Sequence, residues 1–534
     1  MIAEQFLEPI QGGFKSRAFK ANDLKIKPNQ SVSMKNLIEV SKILSKKKLR
    51  KIEIFDSATM DNKASKYTEF FEALMDDKLK NDRDAATLLY KCSPTDDKYR
   101  QLKSRFRKRL MNTLFFIDQT QANVSGYDRA YFSCHRDWTL VKILISNGAS
   151  STAEDLARQV LIVALKFKFS DLILNCSRIL RKIAADAGDM ALFEEYDGYI
   201  KEFNDIFSAE MRSEELYQRV LMAYWLPAEE LRNAQEELQG YCDALVSLSE
   251  MHDSPVVFYN MFLVWTYHYE LMRDHENMLL ICTQAEQYID RNPNYLQAEK
   301  LATFQLKKMT AHLHLQDFKN GKITAERSLQ LFEEGSDTWF SFMEYYLLTA
   351  LHTENFIHGA AVFIRAKSNG KFKKLEAETK EKWRVYEVYL NYFIEKQPGQ
   401  FDALKEQMAK SFRLAKFLAD DLLFQKESKI FAIHFLIGQI LFHLDRGSYA
   451  EAAEGIDRLR SLGKTLNDAE NYRMLRFIKL MQQVLKANFK LADLSSTERA
   501  YENLVNHPFS YRGKLNELEV MPFEKLWNHI LTRL

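Results

Sequence analysis

Glu354-Asn355-Phe356 separates two apolar stretches of helical period, and similar punctuation returns as Arg273-Asp274-His275, Gln316-Asp317-Phe318 and Arg446-Gly447-Ser448-Tyr449. Each time an aromatic-rich segment precedes it and a second amphipathic segment follows. The anchors His275, Phe318 and Phe356 recur at intervals of about 40 residues, and Tyr449 follows about 90 residues further on. A helical hairpin cannot bury its own apolar face, so a hairpin signal at this period implies stacked hairpins with one shared core. These short stretches decide the fold class: all-α, a superhelix of helical hairpins beside a small N-terminal helical unit.

Composition agrees. Only 17 glycines and 9 prolines occur among 534 residues, too few for many β-turns and well suited to long helices with short loops. A hydrophobic share of 46% and a charged share of 28% are ordinary for a globular chain. The net charge of +2 gives no global pull toward nucleic acid or an anionic membrane, so any basic site must be local. Cys92, Cys134, Cys176, Cys242 and Cys282 are scattered and odd in number, which argues against a disulfide framework, and no CxxC pair offers a zinc site. Phe6-Leu7 is followed by Pro9, Gly12, Gly13 and Lys15 rather than by a secretory apolar core. The most apolar run, residues 430–442, is broken by His434 and Gln439 and falls short of the roughly 20 residues a span requires. It reads as a buried helix, so no membrane insertion is expected and the expected compartment is the cytoplasm.

Four regions follow. Residues 1–33 lack a helical period and read as a poorly ordered extension, or as sequence upstream of a natural start at Met34. Residues 34–146 form the N-terminal helical unit, 147–490 the hairpin repeats and 491–534 C-terminal capping helices. Ile52-Glu53-Ile54-Phe55 reads as a helix-connecting segment. Ser93, Pro94 and Asp96 are placed as N-cap, first helical residue and reciprocal carboxylate, and Ser151-Thr152-Ala153-Glu154 has the capping-box spacing. Residues 190–224 suggest one long helix or two collinear ones. Pro227 and Pro255 mark helix starts, and Pro293 follows a helix end.

Across residues 150–465, and best over 250–465, the spacing resembles the tetratricopeptide superfamily. Three residues past the anchors stand Gly321, Gly359 and Ala452, and ten past stand Ala285 and Ala366, at the family's small-residue positions. Met278 departs from the pattern, as do Thr266, Met309, Leu347 and Ile440 at the first-helix glycine position. The resemblance implies a diverged relative that holds a protein or peptide in a helical groove.

No catalytic constellation assembles. His135-Arg136-Asp137 lacks the Asn that a kinase loop places five residues past its Asp, where Lys142 stands, and no Asp-Phe-Gly or phosphate-binding loop accompanies it. His312 and His314 fall on different helical faces, and His268, His275, His352 and His358 sit at hairpin turns, where they cap carbonyls or pack. No cofactor or metal is therefore expected, and no enzyme activity. Aromatics on successive first helices, among them Tyr259, Trp265, Tyr269, Trp339 and Tyr345, are read chiefly as core, with an inner-facing subset as candidate groove residues. The sharpest local charge is Lys98, Arg100, Lys103, Arg105, Arg107, Lys108 and Arg109, set around an apolar face of Tyr99, Leu102, Phe106 and Leu110. Helix, short turn, basic helix is the outline of a helix-turn-helix, and Lys46-Lys47-Lys48-Leu49-Arg50-Lys51 would add phosphate contacts. The sequence thus points to a cytoplasmic protein-interaction scaffold, with a DNA-binding regulator that uses the basic helix 98–109 beside a repeat sensor region as the alternative; the same cations would also suit an acidic partner. Partner identity and oligomeric state stay open.

Overall fold

A computed structural model of the chain describes residues 34, 36–38, 40–41, 66–76, 78–114, 125–226, 228–295 and 298–534, apart from 398–401, 421–427 and 495–496. The expectations placed on residues 1–33, 46–51, 52–55 and Pro227 lie outside them. Among the described residues there are 23 α-helices and no strand. The chain divides into two compact units, one up to Val124 and one from Ser125.

The first unit holds α1 (Lys66–Met75), α2 (Asp82–Tyr90) and α3 (Asp97–Leu114). Phe70, Tyr99, Leu102, Phe106 and Leu110 form its core, with the Phe70 and Phe106 rings 4.5 Å apart. Asn81 caps α2 through the backbone N–H groups of Arg83 and Asp84, and Lys91, at φ 53°, ends it. The start of α3 differs from the expected one: Asp96, not Ser93, accepts the Lys98 N–H, and the helix begins after it.

The second unit runs through α4 (Gly126–Ser146), α5 (Ser150–Phe167), α6 (Ser170–Ala187), α7 (Met190–Ala223), α8 (Ala228–Asn233), α9 (Gln235–Met251), α10 (Pro255–Met272) and α11 (His275–Arg291). It continues through α12 (Ala298–His314), α13 (Phe318–Ser328), α14 (Asp337–His352), α15 (Phe356–Ser368), α16 (Ala377–Glu395), α17 (Asp402–Ser411) and α18 (Leu414–Leu418). The last helices are α19 (Lys429–Asp445), α20 (Tyr449–Gly463), α21 (Tyr472–Lys486), α22 (Glu498–Val505) and α23 (Phe523–Leu531). Neighbours pack as hairpins, and α4 packs on α5, which puts it with the array rather than with the N-terminal unit. Residues 190–223 form one helix. The proposed capping box at Ser151 does not form: α5 begins at Ser150 after Ala149, with no side-chain cap. Ser254 and Pro255 do start α10 as cap and first residue.

A single turn chemistry builds the hairpins. His275, Phe318, Phe356 and Tyr449 are each the first residue of a second helix. Two positions earlier the backbone turns left-handed, at Arg273 (φ 60°), Gln316 (φ 51°), Glu354 (φ 61°) and Gly447 (φ 68°). The intervening N–H then bonds back five residues, as in Asp274 to Tyr269 O (2.9 Å), Asp317 to His312 O (3.0 Å), Asn355 to Ala350 O (2.8 Å) and Ser448 to His443 O (2.9 Å). This satisfies end carbonyls of the first helix and reverses the chain within two residues. The same bond recurs at Phe169 and Asp189, upstream of the four quoted turns.

Candidate functional site

The row of first helices α12, α14, α16, α19 and α21 is covered by the chain's own C-terminal segment, residues 506–522, which leads into α23. Three imidazoles hold its backbone. Tyr511 N–H donates to His314 Nε2 (3.0 Å), while His352 Nε2 donates to Glu519 O (2.7 Å) and His434 Nε2 to Leu518 O (3.1 Å). His314, which accepts, must be neutral, and burial favours the neutral form of all three rings, holding His314 and His434 down to about 4 and His352 to about 3. Phe509 lies against the His314 and His352 rings at 5.2 and 4.6 Å.

Tyr511, fully buried, reaches deepest. Its hydroxyl donates to Glu344 Oε1, which also accepts from Tyr386 (2.9 Å), and Lys382 Nζ lies 2.7 Å from Glu344 Oε2. A buried carboxylate is tolerated only when its oxygens are occupied in this way. At the other end, the partly buried Arg473 grips Glu519 (2.5 Å), Glu524 (2.8 Å) and the carbonyls of Leu504 (2.9 Å) and His507. Residues 491–534 thus do more than cap the last hairpin. No single sequence pattern announces this segment, and of the three histidines that hold it only His352 was among those assigned to hairpin turns.

The five candidate groove aromatics separate. Trp339 is core, and Tyr345 is buried against Tyr511 with ring centroids 5.7 Å apart. Tyr259 lies edge-on to Phe304 (5.7 Å) under the Lys300 ammonium (4.8 Å). Trp265 and Tyr269 pack on each other at 5.3 Å and are half-buried. The structure does not bring them into one surface.

An open cleft of about 920 Å³ remains beside the C-terminal segment. One wall is apolar, from Leu226, Leu231, Leu271 and Met272, and Trp225, 73% exposed, stands at its edge. Arg273, Arg512 and Lys514 line it with positive charge; Arg512 is held by Glu517 (2.7 Å), and Lys514 lies 5.4 Å over the Trp225 ring.

In the first unit the basic helix α3 is sorted by burial. Lys103 turns inward onto Asp82 (2.6 Å), which also accepts from the Tyr99 hydroxyl (2.6 Å), and Arg109 stacks over Tyr67 at 4.5 Å. Lys98, Arg100, Arg105, Arg107 and Lys108 are exposed, with Arg100 3.5 Å from Asp97. Lys103 is therefore a structural cation rather than part of a contact surface.

No described helix is long and apolar enough to cross a membrane, and no described group of three His, Cys, Asp or Glu residues converges for a metal ion. Comparison with known proteins returns nothing: no family model, curated protein or solved structure matches this chain.

Proposed function

We propose that this protein is a non-enzymatic interaction scaffold of diverged tetratricopeptide-like hairpins, and that it takes its partner at the open cleft. The observation that carries the reading is the 73%-exposed Trp225 beside an apolar wall, with Lys514 over its ring and Arg273 and Arg512 also lining the cleft of about 920 Å³. Exposed tryptophan with apolar and cationic neighbours is the composition of an interface hot spot. The fitting occupant is a peptide segment that pairs a bulky apolar side chain with carboxylates. The test is affinity purification with mass spectrometry, comparing the full chain with Trp225→Ser/Lys514→Glu. Partners recovered by the wild type and lost by the double variant support the reading; identical recovery sets overturn it.

A second reading rests on the five exposed cations of α3, which suit phosphate contacts on nucleic acid. Fluorescence anisotropy with labelled duplex DNA at several salt concentrations decides it, and no binding at low salt retires it.

A further inference from the structure

The five exposed cations of α3 are ordered on its outer surface. At about 3.6 residues per turn, Lys98 and Arg105 fall on one flank of the exposed face, and Arg100 and Arg107 fall on the other. Gln101, Ser104, Lys108 and Met111, all exposed, run along the crest between the flanks. The opposite face, with Tyr99, Leu102, Phe106 and Leu110, is buried, so the crest points away from the core of the first unit. The two residues of each flank stand seven apart, about 10.5 Å along the helix axis.

These charges are left uncompensated. Lys98, Arg105, Arg107 and Lys108 form no ion pair among the described residues, and Arg100 has only Asp97, the one carboxylate of the helix, at 3.5 Å. Surface arginines of the second unit are treated otherwise: Arg158, Arg181, Arg212 and Arg219 each pair with a carboxylate on their own or a neighbouring helix. Arg105 also stands three and four residues before Lys108 and Arg109, a like-charge spacing that works against the helix. A double row of cations kept at that cost calls for an anionic partner on the crest side.

The arrangement selects among anions. A membrane surface would favour an apolar crest, and Met111 is the one apolar residue on this one. The major groove of A-form RNA is too deep and narrow for side chains to read. The major groove of B-form DNA, about 12 Å wide, admits one α-helix between two walls of phosphate. The cation flanks suit those walls. The polar crest suits base edges, where glutamine pairs with adenine, lysine with guanine and serine with either.

We propose, on the basis of the nucleic-acid reading of this helix given above, that α3 enters the major groove of duplex DNA and reads its sequence. Lys98 and Arg105 neutralise phosphates on one strand, Arg100 and Arg107 on the other, and Gln101, Ser104 and Lys108 contact base edges. α2, joined to α3 through residues 91–96, is the first helix of the pair.

The test is selection by the full chain from a duplex library with a randomised centre at about 50 mM salt, then fluorescence anisotropy on an enriched duplex and its shuffle. The expected result is an enriched sequence bound about tenfold or more tighter than the shuffle. Gln101→Ala/Ser104→Ala should erase most of that preference at an unchanged salt slope. Lys98→Gln/Arg105→Gln should weaken both duplexes together and lower the log–log slope by about two units, with the preference kept. All four substituted positions are exposed, and circular dichroism checks that the helix persists. Duplex binding without an enriched sequence, or a preference undiminished in Gln101→Ala/Ser104→Ala, overturns base reading by α3 and leaves its phosphate contacts standing. No duplex binding at low salt removes the nucleic-acid reading and this proposal together, and capture of poly-glutamate by the same chain then assigns the cations to an acidic protein.

Discussion

Single residues set the tightest tolerances in this array. A Cβ on Gly438 would stand 2.5 Å from Val388 Cγ1, and one on Gly455 would stand 2.8 Å from Ile440 Cγ1. At Gly359 the nearest atom, Leu390 Cδ2, is 3.4 Å away. Gly438→Ala and Gly455→Ala should therefore each destabilise by about 1–3 kcal/mol in urea unfolding, with Gly359→Ala close to neutral. Leucine is a harsher probe of the repeat positions: Gly321→Leu, Gly359→Leu and Ala452→Leu should each lose about 1–3 kcal/mol or more, while Met278→Leu stays mild. Equal losses at all four would contradict the packing described. Of these contacts, those at Gly321, Gly359 and Ala452 were legible from anchor spacing alone. Gly438 and Gly455 were not, because their need for hydrogen in place of a side chain comes from Val388 on another hairpin and from Ile440 across the turn.

The imidazoles give the same scale a pH signature. Burial places His314, His352 and His434 well below the ordinary value of about 6.5, at about 4, 3 and 4. Between pH ~6.5 and ~4 the unfolded chain binds protons that the folded chain refuses, so stability is full above that window and falls as pH drops through it. Each ring should cost about 2 kcal/mol by pH ~5. Urea midpoints measured at pH ~7.5 and ~5 check this, and His434→Gln, which keeps a donor for Leu518 O, should lessen the fall.

At the scale of elements, helices and their order were readable, and their first turns less so. The anchors mark the first residue of each second helix because the left-handed reversal leaves one intervening residue before the new helix. The Ser151 box misled because residue 149 already turns the chain, so the helix enters one residue early and the serine finds no orphan N–H. In α3 the heptad-like apolar face was legible, but the destination of each cation was not. Nothing in the local sequence says that Asp82, on the preceding helix, claims Lys103. The decisive variant for nucleic-acid binding is thus Lys98→Gln/Arg105→Gln/Arg107→Gln, which leaves Lys103 in place. If α3 contacts duplex DNA, this change should reduce the log–log salt slope by about three units without loss of thermal stability. An unchanged slope would place the DNA contact elsewhere.

At the scale of the whole second unit, the C-terminal segment is an internal ligand that has become structure. A row of helices presenting histidines, tyrosines and a buried glutamate would expose apolar surface and lose several of its hydrogen bonds if left open. Tyr511, Leu518, Glu519 and Phe523 are all buried, so the segment is part of the core rather than a strap lying over it. Sequence reading marked this row as a partner surface because it weighs residues by their own helix and cannot see a distant segment returning to them. Deleting residues 505–534 removes at least one partner from each of His314, Glu344, His352, His434 and Arg473. Such a chain should lose its cooperative thermal transition or aggregate, and it should bind a dye that reports exposed apolar surface. Adding a peptide of residues 505–534 in trans should restore the transition in proportion to its concentration, because a partner that binds only the folded form stabilises it by mass action. A truncated chain that melts like the full one would mean the segment rests on the helices without supporting them, and would reopen that whole row as a docking surface.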